Sequence, residues 1–367
     1  MSRHPIQWWM PQIGSNEYKL VRDVLDSNYL NEGEVTTRFE QQIARLVGVK
    51  NAVGVSSGTS ALFLSLAALG IGHGDEVIVP DLTFIATANA VTLSGATPIL
   101  VDVDPETLNM SPQAFAGAIT HRTKAVMPVH VSGRSADLTA IVSIARDHGL
   151  DVVEDAAEAL MSGHRGRALG TVGIAGCLSF SPNKTITTGQ GGMILTNDDV
   201  LHTRLRELKD QGRPVRGTGG ADVHATVGFN FKLTNLQSAV GLGQLGYLTE
   251  RLARQKRTYL RYVRGLLGVP GVRLPGFDID GGEVPQWVDA VVEGRDELDH
   301  FLIEREIYCR RFWFPLHTQA PYRRSDREFP ASTSIGPRAL WLPSAFTMSD
   351  AAVDEVVQAV REFASCP

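Results

Sequence analysis

The chain has 367 residues, 43% of them hydrophobic and 20% charged, and a formal net charge of -5. This composition excludes disordered and fibrous proteins and provides no acidic or basic tail for a nucleic-acid or membrane partner. The length exceeds that of an ordinary single core and predicts a large domain joined to a smaller one.

From residue 50 onward short apolar runs alternate with helical patterns: AVGV, SALFLSLAAL, EVIVP, FIATANAVTL, PILVDV, SPQAFAGAI and KAVMPVHV, then a helix over residues 138–147 and the strand DVVED. The rhythm predicts an α/β fold with a mostly parallel sheet and helices on both faces. After Gly176 it changes to closely spaced strands, CLSF and GGMIL, followed by a helix over residues 198–209. The stretch QGRPVRGTGGAD, rich in Gly and Arg, is expected to be a mobile surface loop. A long helix is expected to start at Thr234 or Asn235 and to run to about Val263. Residues 1–245 are assigned to the large domain and 246–367 to a smaller α+β domain, with a strand at WVDAVV and helices at RDELDHFLIERE and SDAAVDEVVQAVREF.

Several function classes are set aside by the same reading. No apolar run is long enough to cross a bilayer, and the first fourteen residues lack a secretory pattern, so a cytoplasmic protein is expected. Cys177, Cys309 and Cys366 are scattered, with no Cys/His cluster, which argues against a disulfide framework or a metal site. The glycines Gly70, Gly72 and Gly74 superficially suggest a dinucleotide loop. They follow a helix and precede a strand, the reverse of that fingerprint, and read as a helix-ending turn.

Three features point to chemistry. Ser57, Gly58 and Thr59 stand between a strand and a helix, where they cap the helix or hold a phosphate on its first amides. Asp155 ends DVVED at the carboxyl edge of the sheet, where open α/β folds bind ligands, while Glu154 points to the opposite face. Lys184 sits in LSFSPNKTITTGQGGM; alone it reads as a solvated surface lysine, but the hydroxyl, amide and glycine residues around it could provide the partly desolvated pocket that Schiff-base chemistry requires.

The ordered set SSGTSAL, PDLTFIATANAV, VDVDPETLNM, VEDAAEAL, LSFSPNKTITTGQGGM, VGFNFKLTNLQSAVGLGQL and FWFPLH resembles the DegT/DnrJ/EryC1/StrS sugar aminotransferases over nearly the whole chain. The resemblance implies the pyridoxal-phosphate (PLP) aminotransferase fold of type I, with PLP held as a Schiff base on Lys184 and pyridoxamine phosphate as its amino form. It implies that Asp155 pairs with the pyridine nitrogen and that Gly58, Thr59 and Ser179 hold the phosphate. Phe84 and Ala157 would flank the ring, although Phe84 taken alone reads as core, and Glu158 would lie near the ring hydroxyl. Asn230 would reach the phosphate of the neighbouring subunit in a homodimer, and Arg310 and His317 would lie near the substrate. The run Phe312 to Phe314 reads as packing.

Two positions depart from the family pattern: Gln190 replaces a common Glu, and Lys232 a frequent Arg. FWFPLHTQAPY with EDAAEA looks most like the perosamine-synthase type, which implies transfer from L-glutamate to C4 of a nucleotide-linked 4-keto-6-deoxyhexose. Retention of Lys184 sets aside the related dehydratases that carry histidine. A keto-cyclitol or 3-keto-sugar aminotransferase, or a non-catalytic regulatory protein of the same fold, are the alternatives.

Overall fold

A computed structural model describes residues 5–214 and 222–365. The chain opens with α1 (Ser15–Asp26) and α2 (Glu34–Val47), then alternates β1 (Asn51–Val55), α3 (Gly58–Leu69), β2 (Glu76–Pro80), α4 (Ala86–Leu93) and β3 (Thr97–Val101). The alternation continues through α5 (Pro112–Gly117), β4 (Thr123–Val126), α6 (Leu138–Asp147) and β5 (Asp151–Asp155). A hairpin of β6 (Gly163–His164) and β7 (Arg167–Ala168) leads to β8 (Ala175–Ser179), β9 (Gly192–Thr196) and α7 (Asp199–Lys209). Beyond them come α8 (Asn235–Leu245), α9 (Leu248–Leu266), β10 (Val272–Arg273), β11 (Val288–Val292) and α10 (Arg295–Ile303), and last β12 (Arg310–Arg311), α11 (Pro330–Ile335), β13 (Ala339–Leu342) and α12 (Asp350–Ser365).

The main sheet has the strand order β1-β9-β8-β5-β4-β2-β3. Strands β8, β5, β4, β2 and β3 pair parallel, and β9 runs antiparallel to both β8 and β1. Both faces are covered, which explains why these strands read as continuous apolar runs rather than alternating ones. Val53, Val153, Cys177 and Ile194 pack toward α3, whereas Leu178, Met193 and Leu195 pack on the opposite face with α2 and α8. A second, antiparallel sheet, β10-β11-β13-β12, packs its own core against α9, α10 and α12. Residues near the N-terminus reach across to it: Ile6 bridges Ile307, and Trp9 packs with Trp287 and Trp341 between the two sheets.

Most predicted elements appear where the sequence places them, and Gly70 ends α3 with a φ of 78°, as a helix-ending turn requires. The long helix expected from Thr234 is two helices. Thr234 caps α8 with its hydroxyl, but α8 stops at Leu245 and α9 starts at Leu248. The break comes from α1. A Cβ on Gly243 would meet the Glu17 backbone nitrogen at 2.9 Å, so glycine lets the two helices touch, and buried Gln244 bonds to Gln12 and Glu17. The chain then turns toward the second sheet. Most of the expected Gly/Arg-rich loop, residues 215–221, lies outside the described residues, as does Cys366; Cys177 and Cys309 are free thiols. No helix among the described residues is long and apolar enough to cross a membrane.

Glu154 fixes the carboxyl end of β5 from behind. Its carboxylate accepts the amides of Gly170 (2.8 Å), Val172 (2.7 Å) and Gly173 (2.8 Å) and lies 3.0 Å from His130 Nε2. His130 Nδ1 accepts from the Ala136 amide, so its proton sits on Nε2 and is donated to Glu154. Burial alone would raise the Glu154 carboxyl, but these donors outweigh burial and hold it below the usual range. Glu154→Ala strands four buried donors and is expected to cost about 4 kcal/mol in denaturant unfolding. A loss under about 1 kcal/mol would refute this role.

Candidate active site

The carboxyl ends of the parallel strands converge on one cavity of about 290 Å³. Its walls include Ser57, Gly58 and Thr59 after β1, Phe84 after β2, Asp155 at the end of β5, Ser179 at the end of β8 and Lys184 in the following loop. The second sheet closes the other side with Trp287, Arg310, Trp313 and Trp341. Among the described residues, no group of three or more His, Cys, Asp or Glu side chains is placed to hold a metal ion.

At one end of the cavity stands the start of α3. Ser57 caps the helix through the Ser60 amide at 3.0 Å, and the first helical amides, those of Gly58 and Thr59, have no earlier helical carbonyl to bond. Glycine is required here by crowding: a Cβ on Gly58 would lie 2.9 Å from Ser179 Cβ, and one on Gly192 would lie 2.3 Å from the Ser57 carbonyl oxygen. The result brings the Ser179 hydroxyl beside the helix start, a donor set that suits a phosphate.

At the floor, Asp155 accepts from Thr87 Oγ1 at 2.8 Å and from the Ala157 amide at 3.2 Å. Burial raises its carboxyl above the usual range, against these bonds and nearby Lys184, which lower it. Glu158 accepts from the Ser132 amide at 2.9 Å and faces Lys184 Nζ at 3.2 Å. Burial raises its carboxyl too, Lys184 and the Ser132 amide lower it, and Asp155 adds a further push upward. Lys184 Nζ also stands 4.6 Å from the centre of the Trp287 ring. A cationic aromatic nitrogen above Asp155 would relieve its burial, and Ala157 and Phe84 line the same cavity. The residues therefore fit a phosphate-bearing pyridine.

Gly58, Thr59, Phe84, Asp155, Ala157, Glu158, Ser179, Lys184 and Arg310 thus share one cavity, as does Gln190. Phe84 is 51% exposed, which overturns the core reading that it receives alone. His317 is a correction. It is fully buried and does not line the cavity, with Nδ1 2.6 Å from Asp81 Oδ2, its amide bonded to Asp81 Oδ1 and its ring stacked on Phe329. The aspartate that follows β2 captures the ring and pins the 316–318 turn. Asn230 is exposed and lies outside the cavity of this chain, pairing by a β-bridge with Asp210, to which Lys232 bonds at 2.7 Å. The aromatic run 312–314 divides: Phe312 is buried, Trp313 lines the cavity and Phe314 is 65% exposed. Trp287 and Trp341 escaped sequence reasoning because nothing local distinguishes a cavity-lining tryptophan from a core one.

A mostly parallel α/β sheet with a lysine, a buried carboxylate and a helix start at its carboxyl edge fits the PLP-dependent aminotransferases of fold type I. The sequence profile of the DegT/DnrJ/EryC1/StrS aminotransferase family matches residues 11–361, and the chain belongs to that family. It is 38% identical over 360 residues to the GDP-perosamine synthase of Caulobacter vibrioides, covering 96% of each chain. DesV of S. venezuelae, solved in complex with a ketimine intermediate, shares 35% identity and superposes with a TM-score of 0.91 over 96% of this chain and 95% of that one. DesI, solved in the presence of its TDP-sugar product, gives a TM-score of 0.91 at 30% identity, covering 99% of this chain and 94% of that one.

The raised carboxyls of Asp155 and Glu158 have a thermodynamic sign. A carboxyl whose folded pKa exceeds its unfolded value contributes stability below the ordinary carboxylate pKa of about 4 and loses it as pH rises through the folded value. Asp155→Asn should therefore raise the melting temperature of the cofactor-free protein at pH 8 by about 1–3 °C. The gain should close toward pH 4 in thermal scans. A variant less stable than the parent at pH 8 would contradict the burial argument.

Proposed function

We propose that this protein is a PLP-dependent sugar aminotransferase that moves the amino group of L-glutamate to C4 of a nucleotide-linked 4-keto-6-deoxyhexose. The supporting observation is the single cavity that gathers Lys184, Asp155 and the α3 amides. The sugar, and the carbon aminated, rest on the likeness to GDP-perosamine synthases and on the sugar product named with DesI. When bound, PLP supplies an electron sink that stabilises negative charge on a substrate carbon.

Lys184 would hold the cofactor covalently through Nζ, and once freed by the donor it is the amine placed to take a proton from one carbon and return it to another. Asp155, with Thr87 and Ala157 fixing its carboxylate, would keep the ring nitrogen protonated. The amides of Gly58 and Thr59 with the Ser179 hydroxyl would hold the phosphate. Phe84 and Ala157 would flank the ring. Glu158 would face the ring hydroxyl and steady Lys184 Nζ from the Ser132 side. Trp287, whose ring centre lies 4.6 Å from Lys184 Nζ, would help to shield the lysine from water. The cavity is small for a nucleotide sugar, so the nucleotide would extend outward past the exposed rings of Phe84 and Phe314. A homodimer would complete the site, the exposed Asn230 of one subunit meeting the phosphate end of the other.

Lys184→Ala should abolish both the visible absorbance of the bound cofactor and 2-oxoglutarate release. Full activity in that variant would overturn the reading, and strict preference for a keto-cyclitol across a panel of keto substrates would overturn the sugar. Completion by a partner has its own test. Lys184→Ala and Asn230→Ala subunits, each inactive alone, should on mixing recover about a quarter of the wild-type sites, because half of the dimers are mixed and each mixed dimer holds one intact site. No recovery would place Asn230 outside the partner's site.

A further inference from the structure

We infer that Arg310 is the receptor for the carboxylate of the amino donor, a role that rests on the aminotransferase reading above. Among the described residues two cations line the cavity, Lys184 and Arg310. Lys184 is answered by Glu158 at 3.2 Å. Arg310 has no carboxylate or other hydrogen-bond acceptor among the described residues. Its guanidinium lies 4.9 Å from the ring centre of Trp8 and 5.7 Å from that of Trp341. Stacking engages the flat face of the guanidinium and leaves the N–H edge free to donate. Arg310 is an exposed residue, and its guanidinium is steadied by the two rings yet unspent at its edge.

Its direction is set by the sheet. Arg310 pairs with Trp341 across β12 and β13, and the pleat sends its neighbour Arg311 to the other face, where Arg311 meets Asp296 and Asp299, both at 3.3 Å. Two consecutive arginines therefore have opposite fates: one is neutralised at the surface and the other is presented, unneutralised, to the cavity.

The geometry selects the ligand. The cofactor's phosphate belongs to the opposite wall, at the start of α3. Lys184 and Arg310 share one panel of indoles: Lys184 stands 4.6 Å from the Trp287 ring, and that ring packs 4.9 Å from Trp341, on which Arg310 rests. The donor must bring an amine to Lys184, and every amino-acid donor carries a carboxylate that the keto sugar lacks. A planar carboxylate matches the guanidinium fork with two parallel hydrogen bonds. The diphosphate of the acceptor is the competing anion, and the two half-reactions distinguish it from the donor's carboxylate.

The two half-reactions separate the possibilities. With Arg310→Gln holoenzyme, the L-glutamate concentration that half-saturates loss of the visible cofactor band should rise about 10- to 100-fold, the cost of a charge-assisted hydrogen-bond pair, while the half-reaction with the keto sugar changes less than about threefold. Glutarate, a dicarboxylate that cannot react, should bind the parent holoenzyme in calorimetry, bind Arg310→Lys more weakly and fail to bind Arg310→Gln. Unchanged glutamate saturation in a variant that keeps its cofactor band and its melting temperature would overturn the inference. So would a loss confined to the keto-sugar half-reaction, which would assign Arg310 to the acceptor's phosphates. A parent holoenzyme inert toward every amino acid would instead overturn the aminotransferase reading itself.

Discussion

Two carboxylates at the carboxyl end of β5 face opposite sides of the central sheet, and the rest of the site depends on how differently they are treated. Glu154 is satisfied by three loop amides and His130, which anchors the 170–173 turn and the chain beyond β4. Asp155 has only a hydroxyl and one amide, in equally deep burial. Alternation along a strand is enough to make one carboxylate structural and to leave the other short of positive charge. An aspartate held in that state would be stabilised by a cation at the cavity floor.

The cavity is assembled from two sources with different mechanical character. The large sheet contributes strand ends and the α3 start, whose positions follow from parallel pairing and from glycines that permit close approach. The second sheet contributes an aromatic wall in which Trp8, Trp287, Trp313 and Trp341 pack on one another. Ser132 joins the halves: its amide supports Glu158 in the cavity, and its hydroxyl bonds to Asp289 and to the Trp341 indole. The pairing of Glu158 with Lys184 is stabilising only in part, since the second carboxylate, Asp155, is buried nearby and pushes the Glu158 carboxyl upward. Such residual frustration is the usual consequence of keeping reactive groups in place.

Legibility differed by residue. Thr234 as a cap, Gly70 as a helix end and DVVED as a strand were readable because each depends on bonds within a few residues in the chain. The full length of α8 and α9 was not, because their separation is imposed by Glu17 and Asn16 of α1. His317 was assigned to the substrate region on resemblance, and a residue more than two hundred positions away claimed it instead. Phe84 erred in the other direction, reading alone as core while the fold leaves half of it exposed.

From the sequence alone came the alternating α/β pattern, the carboxyl-edge position of Asp155, the polar loop of Lys184 and the ordered motifs of the family, all carried by local periodicity, capping and short-range spacing. The tertiary structure alone decided which groups meet. It set Glu158 against Lys184, withdrew His317 behind Asp81, turned Trp313 inward and left Arg310 stacked without an acidic partner. Those outcomes depend on strand order, pleat direction and burial between distant segments, and none of these has a local signature in the chain.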